Sequence, residues 1–284
     1  MSNTSTPGVD GSPPGYRWFY VWPETRGMGP LLIAAPLILL GIGSLIYIVT
    51  TGDTELLTFA LFSAIIAGFG IVVIAGTKAQ DQPIVESGDD TRVFALRYPF
   101  FTVRHGFATA CLVALFSTMV WIGITDHQPW MIVAGSVLFP ITAIGAVLPA
   151  FRYALHGRLA FGPKTLRVST YRCDWEFPWD AIVAAEAVLD APDAAIAIHC
   201  PRAEMIDRPT SSKPLSRWIP PDNAINGPWQ IISPMWGVNG NSLLSTIRHL
   251  QAHPEHRDQL TKEQLTAMLT PPPWSVRDQL RGQS

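Results

Sequence analysis

The stretch YRCDWEFPWDAI, Tyr171 to Ile182, decides how the second half of the chain is read. Trp175, Phe177 and Trp179 alternate with Glu176, Pro178 and Asp180, the period of two that belongs to a strand with one face buried. Pro178 cannot donate to a ladder, so it places the strand at an edge or beside a bulge. The same period extends outward. Upstream, Leu159 and Phe161 alternate in GRLAF, Gly162 and Pro163 make a turn, and Leu166 and Val168 alternate in TLRVST. Downstream, Ile182–Leu189 and Ala194–Cys200 read as strands around a turn at 191–193, and 229–233 reads as another. The interval 201–228 is polar and Pro-rich, with Trp218 in its middle, and reads as a long loop. A helix follows, capped by Asn241 or Ser242, with Leu243, Leu244, Ile247 and Leu250 along one face and Pro254 ending it. Thr261 and Gln264 have capping-box spacing for a last short helix ending at Leu269. These elements predict a small α+β domain over 154–270 with a flexible tail at 271–284. Trp179 is expected in its core; Trp175 and Trp218 are the candidate partner surface.

The first half reads differently. The chain of 284 residues is 48% hydrophobic and 15% charged, against roughly 25% charged in soluble domains, and its mean hydropathy is +0.22. A helix needs about 20 apolar residues to cross ~30 Å of hydrocarbon. Segments 31–50, 56–76, 106–125 and 130–151 reach that length without Asp, Glu, Lys, Arg or His. They predict a four-helix transmembrane bundle of two hairpins over 30–153, preceded by a disordered tail and aromatic segment at 1–29. Arg17 and Arg26 precede the first span, Lys78, Arg92, Arg97 and Arg104 lie between the second and third, and the other fourteen basic residues follow the fourth. The positive-inside rule then predicts a multi-pass protein of a bacterial cell membrane with both termini cytoplasmic. The aromatic run YRWFYVWP offers Trp18, Tyr20 and Trp22 as interface anchors at the headgroup level. In the middle loop, Asp89, Asp90 or Thr91 can cap a short helix over Arg92–Tyr98. Arg152, Arg158, Lys164, Arg167 and Arg172 are the candidate contacts to membrane lipids at the bundle exit.

Chemistry is sparse. Cys111, Cys173 and Cys200 are scattered, which implies neither a disulfide framework nor a cysteine zinc site. No GxSxG, P-loop, HExxH or Rossmann glycine pattern occurs, so no catalytic residue and no cofactor are nominated. The best metal candidate is HLQAHPEH, where His249 and His253 share a helix face and His256 follows a proline. Without an acidic or cysteine ligand at fixed spacing, no metal site is assigned there. A net charge of −2 gives no general attraction for nucleic acid.

The run YALHGRLAFGPKTLRVSTYRCDWEFPWDAI resembles the opening hairpins of bacterial pleckstrin-homology-like (PH-like) domains in small membrane proteins. Arg152, Tyr153, Leu166, Val168, Pro178, Trp179 and Ile182 carry the match, and HLQAHPEHRDQL resembles the closing helix of such proteins. The resemblance covers residues 152–260; the Pro-rich insertion before the last strand departs from the pattern. A bundle without intramembrane charge and a small β-domain without a catalytic constellation predict a non-enzymatic scaffold or adaptor whose cytoplasmic PH-like module binds lipid headgroups or a protein partner. The alternative expectation is a carrier or channel component for an uncharged or lipid-like molecule, with Pro140 at a helix break.

Overall fold

A computed structural model describes residues 5–7, 11–22, 43, 46, 50, 81–87, 94–97, 120, 123–124, 127–130, 132–137, 157–169, 174–188, 194–207 and 229–281. The described strands are β1 (Ser5–Pro7), β2 (Arg17–Phe19), β3 (Val85–Ser87), β4 (Phe94–Arg97), β5 (Arg158–Phe161), β6 (Thr165–Ser169), β7 (Asp174–Pro178), β8 (Ala184–Val188), β9 (Ala195–His199), β10 (Ile206–Asp207) and β11 (Trp229–Ile232). The helices used below are α1 (Gly240–Ala252), α2 (Pro254–Gln259), α3 (Lys262–Leu269) and α4 (Trp274–Arg281). The chain divides into two units, one formed by residues 1–24, 78–100 and 153–284, the other by 25–77 and 101–152.

In the first unit, a six-stranded antiparallel sheet runs β10-β7-β6-β5-β4-β3, and a three-stranded one runs β11-β9-β8. Register explains the larger sheet. Phe94 faces Phe161, Phe161 faces Leu166 and Leu166 faces Phe177, giving one apolar row across four strands. Beside it, Leu96, Leu159, Val168 and Trp175 form a second row. Aromatic and branched residues directly opposite one another are the contacts that hold a sheet together. Trp179 leaves the strand in a short 3-10 turn, Trp179–Ala181, and is buried, as expected of a core residue. Its indole N–H donates to the Gly162 carbonyl at 2.8 Å, which pins the β5–β6 turn.

α1 closes the unit. Leu243, Leu244, Ile247 and Leu250 are buried along it. The cap lies two residues before the first residue proposed for it: Asn239 is the N-cap, accepting from the Ser242 N–H at 3.2 Å. Gly240 is required at the first turn, because a Cβ there would lie 2.7 Å from Ala194 Cβ and 2.9 Å from Ser233 Oγ. Asn241 does other work: its Oδ1 accepts from the Val21 and Trp22 N–H groups at 2.7 and 3.0 Å, and its Nδ2 donates to the Trp22 carbonyl at 3.1 Å. The Trp18 indole donates to Ser242 Oγ at 3.0 Å, and the Phe19 N–H to Ser245 Oγ at 2.9 Å. A polar face of α1 therefore holds the segment around β2 by its backbone. Thr261 and Gln264 complete the capping box of α3. Residues 274–281, read from sequence as a tail, form α4, whose buried Arg277 stacks on Trp274 and donates to Pro272 O and Asp81 Oδ1.

Two sequence expectations are corrected. Among the described residues no helix is long and apolar enough to cross a membrane. The four-helix transmembrane bundle is not supported, nor is the multi-pass placement in a cell membrane that rested on it; antiparallel sheets dominate the described structure. Hydropathy counts apolar side chains without saying what they face; outside the expected spans, Trp18, Phe94, Leu96, Leu159 and Phe161 pack into the core of a sheet-based unit. The spans expected at 31–50, 56–76, 106–125 and 130–151 fall almost wholly outside the described residues. Second, Phe94–Arg97 is a strand, not part of a helix, because its backbone pairs with β5 and its Phe94 and Leu96 complete the apolar rows. In the other unit, the described part of 123–132 turns at His127 and Gln128, with the Gln128 N–H donating to Gly123 O at 2.9 Å and His127 at φ 56°.

Candidate functional site

The six-stranded and the three-stranded sheets of the first unit meet at a tryptophan corner. Trp175 of β7 packs on Trp229 of β11 with ring centroids 4.4 Å apart and planes at 43°, and Phe177 meets the same ring at 6.2 Å. Trp175 is half-buried, and its indole N–H is covered yet has no acceptor among the described residues. A buried donor without a partner costs about 1–3 kcal/mol. Beside the corner lies β10, which pairs with β7 only through Ile206 opposite Glu176 and Asp207 opposite Trp175. Ile206 is 46% exposed. Among the described residues β10 is the last strand of this sheet and covers two positions of β7; a short edge strand is one way a sheet edge is limited.

The basic residues nominated for headgroup binding do not form one surface. Arg158 and Lys164 are exposed, while Arg167 is engaged by its own sheet. Its Nε donates to Asp174 Oδ1 at 2.7 Å, its Nη2 binds Asp174 Oδ2, and Glu176 Oε1 lies 3.8 Å away. The Ser169 hydroxyl adds a 2.7 Å bond to the same Asp174 oxygen. The Asp174 carboxylate raises the Arg167 pKa further, so the fork is fixed in place rather than offered to a phosphate. Arg152, Arg172 and Trp218 lie outside the described residues. Trp18 and Tyr20, expected as interface anchors, are buried, and Trp22 is half-buried with its indole 3.4 Å from the Val188 carbonyl.

A second constellation sits where α1 passes into α2. Pro254 stops α1 and starts α2 one residue after His253, and this turn brings His256 back beside His249. His249 Nε2 lies 2.8 Å from His256 Nδ1, and His253 Nδ1 lies 3.1 Å from Glu255 Oε1. Ring centroids are 4.6 Å apart for His249–His253, 5.0 Å for His249–His256 and 5.2 Å for His253–His256. Tyr16 closes the inner side, its ring edge-on to His249 at 5.4 Å and its hydroxyl donating to the Met268 carbonyl at 2.6 Å. Burial pushes the Tyr16 phenol well up, so it remains a donor. The i, i+4 pair was legible in the sequence; the return of the third imidazole depends on the Pro254 turn.

Burial, then the nearby His253 and His256, push the His249 imidazole down to about 4. Its folded pKa thus lies below the ordinary value, and the unfolded chain takes up this proton first as pH falls. Stability is fully present above pH 6.5 and is lost between there and about 4, by at most about 3 kcal/mol. Urea unfolding in the presence of a chelator, compared at pH 7.5 and pH 4.5, checks this, and His249→Gln is expected to remove that part of the pH dependence.

Cys200 and His199 are adjacent but build no nucleophile. Burial and then Glu204 raise the Cys200 pKa, and His199 is oriented instead toward Glu186, at 3.5 Å. A six-stranded and a three-stranded antiparallel sheet closed by a helix, with an aromatic corner and a histidine cluster, define the class as an α+β unit. The chain matches no family model, no curated protein and no solved structure.

Proposed function

We propose that the first unit is a PH-like binding module without catalytic chemistry of its own, and that its ligand is a protein segment received at the Trp175–Trp229 corner. The carrying observation is a half-buried indole without an acceptor among the described residues, beside a sheet edge whose last described strand is two residues long. An extended peptide laid along β7 and β10 presents backbone carbonyls and alternating side chains, the complement of an unpaired ladder next to an aromatic shelf. The PH-like reading is supported by the order of elements, hairpin strands β5–β7, then β8, β9 and β11, then α1. A protein ligand is favoured over a lipid headgroup because Arg167 is committed to Asp174, leaving Arg158 and Lys164 as the exposed cations of the described basic set.

Selection of random peptides on the purified full chain tests the proposal. Enriched peptides are expected to lose at least about tenfold in affinity on Trp175→Ala, as for an aromatic anchor worth more than ~1.4 kcal/mol, and to be indifferent to Arg158→Ala with Lys164→Ala. Equal binding to wild type and Trp175→Ala, with both variants folded by circular dichroism, would remove the corner as the site. Binding to phosphatidylserine vesicles that disappears with the Arg158 and Lys164 changes would transfer the function to headgroups.

A further inference from the structure

We propose that His249, His253 and His256, with the Glu255 carboxylate, form a binding site for a divalent transition-metal ion of the zinc class. Three imidazoles converge on one side of the α1–α2 junction, and the coordinating atoms of His253, Glu255 and His256 lie within 4.8 Å of one another. His249 joins them through the 2.8 Å approach of its Nε2 to His256 Nδ1. That approach makes one hydrogen bond, in which one ring donates and the other accepts. It leaves a cluster of nitrogen lone pairs with a carboxylate at its rim.

Zinc bound tetrahedrally holds nitrogen and oxygen ligands at about 2.0–2.2 Å, which places neighbouring donor atoms ~3.3 Å apart. The His253–Glu255 spacing of 3.1 Å is already close to that, and the His249–His256 pair must open by roughly half an ångström. Side-chain rotation is enough for this, since His253, Glu255 and His256 retain solvent exposure. An N₃O donor set of imidazoles and one carboxylate suits zinc, cobalt or nickel better than magnesium or calcium, which prefer all-oxygen shells.

Alternative uses of three histidines at this place are weaker. A helix C-terminus favours a cationic imidazole, which accounts for one ring beside the last turn of α1 and not for three with centroids 4.6–5.2 Å apart. Core packing does not account for them either, because two of the rings remain partly exposed. A divalent ion takes the ring nitrogens and the carboxylate together and ties the last turn of α1 to α2. The inner wall supplied by Tyr16 leaves the solvent side as the route of entry.

The purified full chain, stripped with chelator, should be titrated with Zn²⁺ by calorimetry and with Co²⁺ by visible absorption. The expected result is one ion per chain with a dissociation constant in the micromolar range or below, d–d bands of a tetrahedral cobalt site, and a higher unfolding temperature with metal. His256→Ala and His253→Gln should each weaken binding at least tenfold and abolish the cobalt bands. Both residues are partly exposed, so these variants are expected to fold; circular dichroism checks it. Absence of a saturable site, or binding unchanged in the variant carrying both substitutions, would overturn the assignment. The outcome is independent of the peptide-binding test, since Trp175→Ala is expected to leave zinc affinity unchanged.

Discussion

Trp18→Ala is expected to destabilise the first unit by about 3–5 kcal/mol, the range for removing a fully buried large aromatic. Trp18 has no exposed surface. Its loss opens a cavity beside Tyr20, whose ring lies 6.0 Å away, and leaves Ser242 Oγ without its indole donor. The effect should spread, because the neighbouring backbone is held by α1: Phe19 by Ser245, and Val21 and Trp22 by Asn241. Trp18→Phe, which keeps most of the packing and loses the hydrogen bond, should cost about 1–2 kcal/mol. The readout is hydrogen-exchange protection of the α1 amides in the full chain as urea is raised. A tryptophan serving as an exposed anchor would behave differently: its replacement would alter stability by no more than ~0.5 kcal/mol. The two roles predict results several kcal/mol apart, so a single pair of variants decides between them.

The elements that were legible are those whose own sequence carries the period. β5, β6, β7, β8, β9 and β11 fall where alternation and turn residues place them, because each of these strands buries a face against its immediate neighbours in the chain or close to them. β2, β3 and β4 were not legible. What orders them lies far away: Trp18 meets Ser242 across 224 positions, and β4 pairs with β5 after a long excursion of the chain. Phe94–Arg97 follows Asp89, Asp90 and Thr91, which favour a helix cap locally; pairing with β5 overrides that preference. The apolar segments gave the opposite error. Their length was measured correctly, but a hydropathy window holds no information on partners, and the inferred bundle finds no spanning helix among the described residues. For the candidate sites, Trp175 was visible as an ambiguous aromatic, whereas Trp229 was not, since its stacking depends on two sheets meeting. Asn241 was recognised as a capping residue type, but Asn239 caps the helix and frees Asn241 to bind the chain at Val21 and Trp22.

Arg257→Ala is expected to cost about 2–4 kcal/mol, most of it through groups left behind rather than through a lost ion pair. α1 ends with carbonyls that have no partner within the helix. Arg257 supplies it: Nε donates to the Leu250 carbonyl at 2.6 Å and Nη2 to the Gln251 carbonyl at 2.9 Å. Its guanidinium also lies 5.6 Å from the centroid of the Trp179 ring, so it bridges the closing helix and the turn that follows β7. Nη1 reaches Asp180 Oδ1 at 3.0 Å, yet the two partners are unlike: the Arg257 side chain is 6% exposed and that of Asp180 is 91% exposed. A solvated carboxylate gains little from such a pair, so Asp180→Ala should change stability by less than ~0.5 kcal/mol, and the coupling in a double-mutant cycle should stay below ~1 kcal/mol. Arg257→Lys should recover little of the loss, because an ammonium on a flexible stem does not present the planar fork that spans both carbonyls while lying over the indole. Urea unfolding of the four variants measures all of this. Equal losses for Arg257→Ala and Asp180→Ala would mean that water satisfies the end of α1 and that the ion pair alone holds Arg257; a large loss confined to Arg257 would establish the arginine as the cap that fixes the junction between α1 and α2.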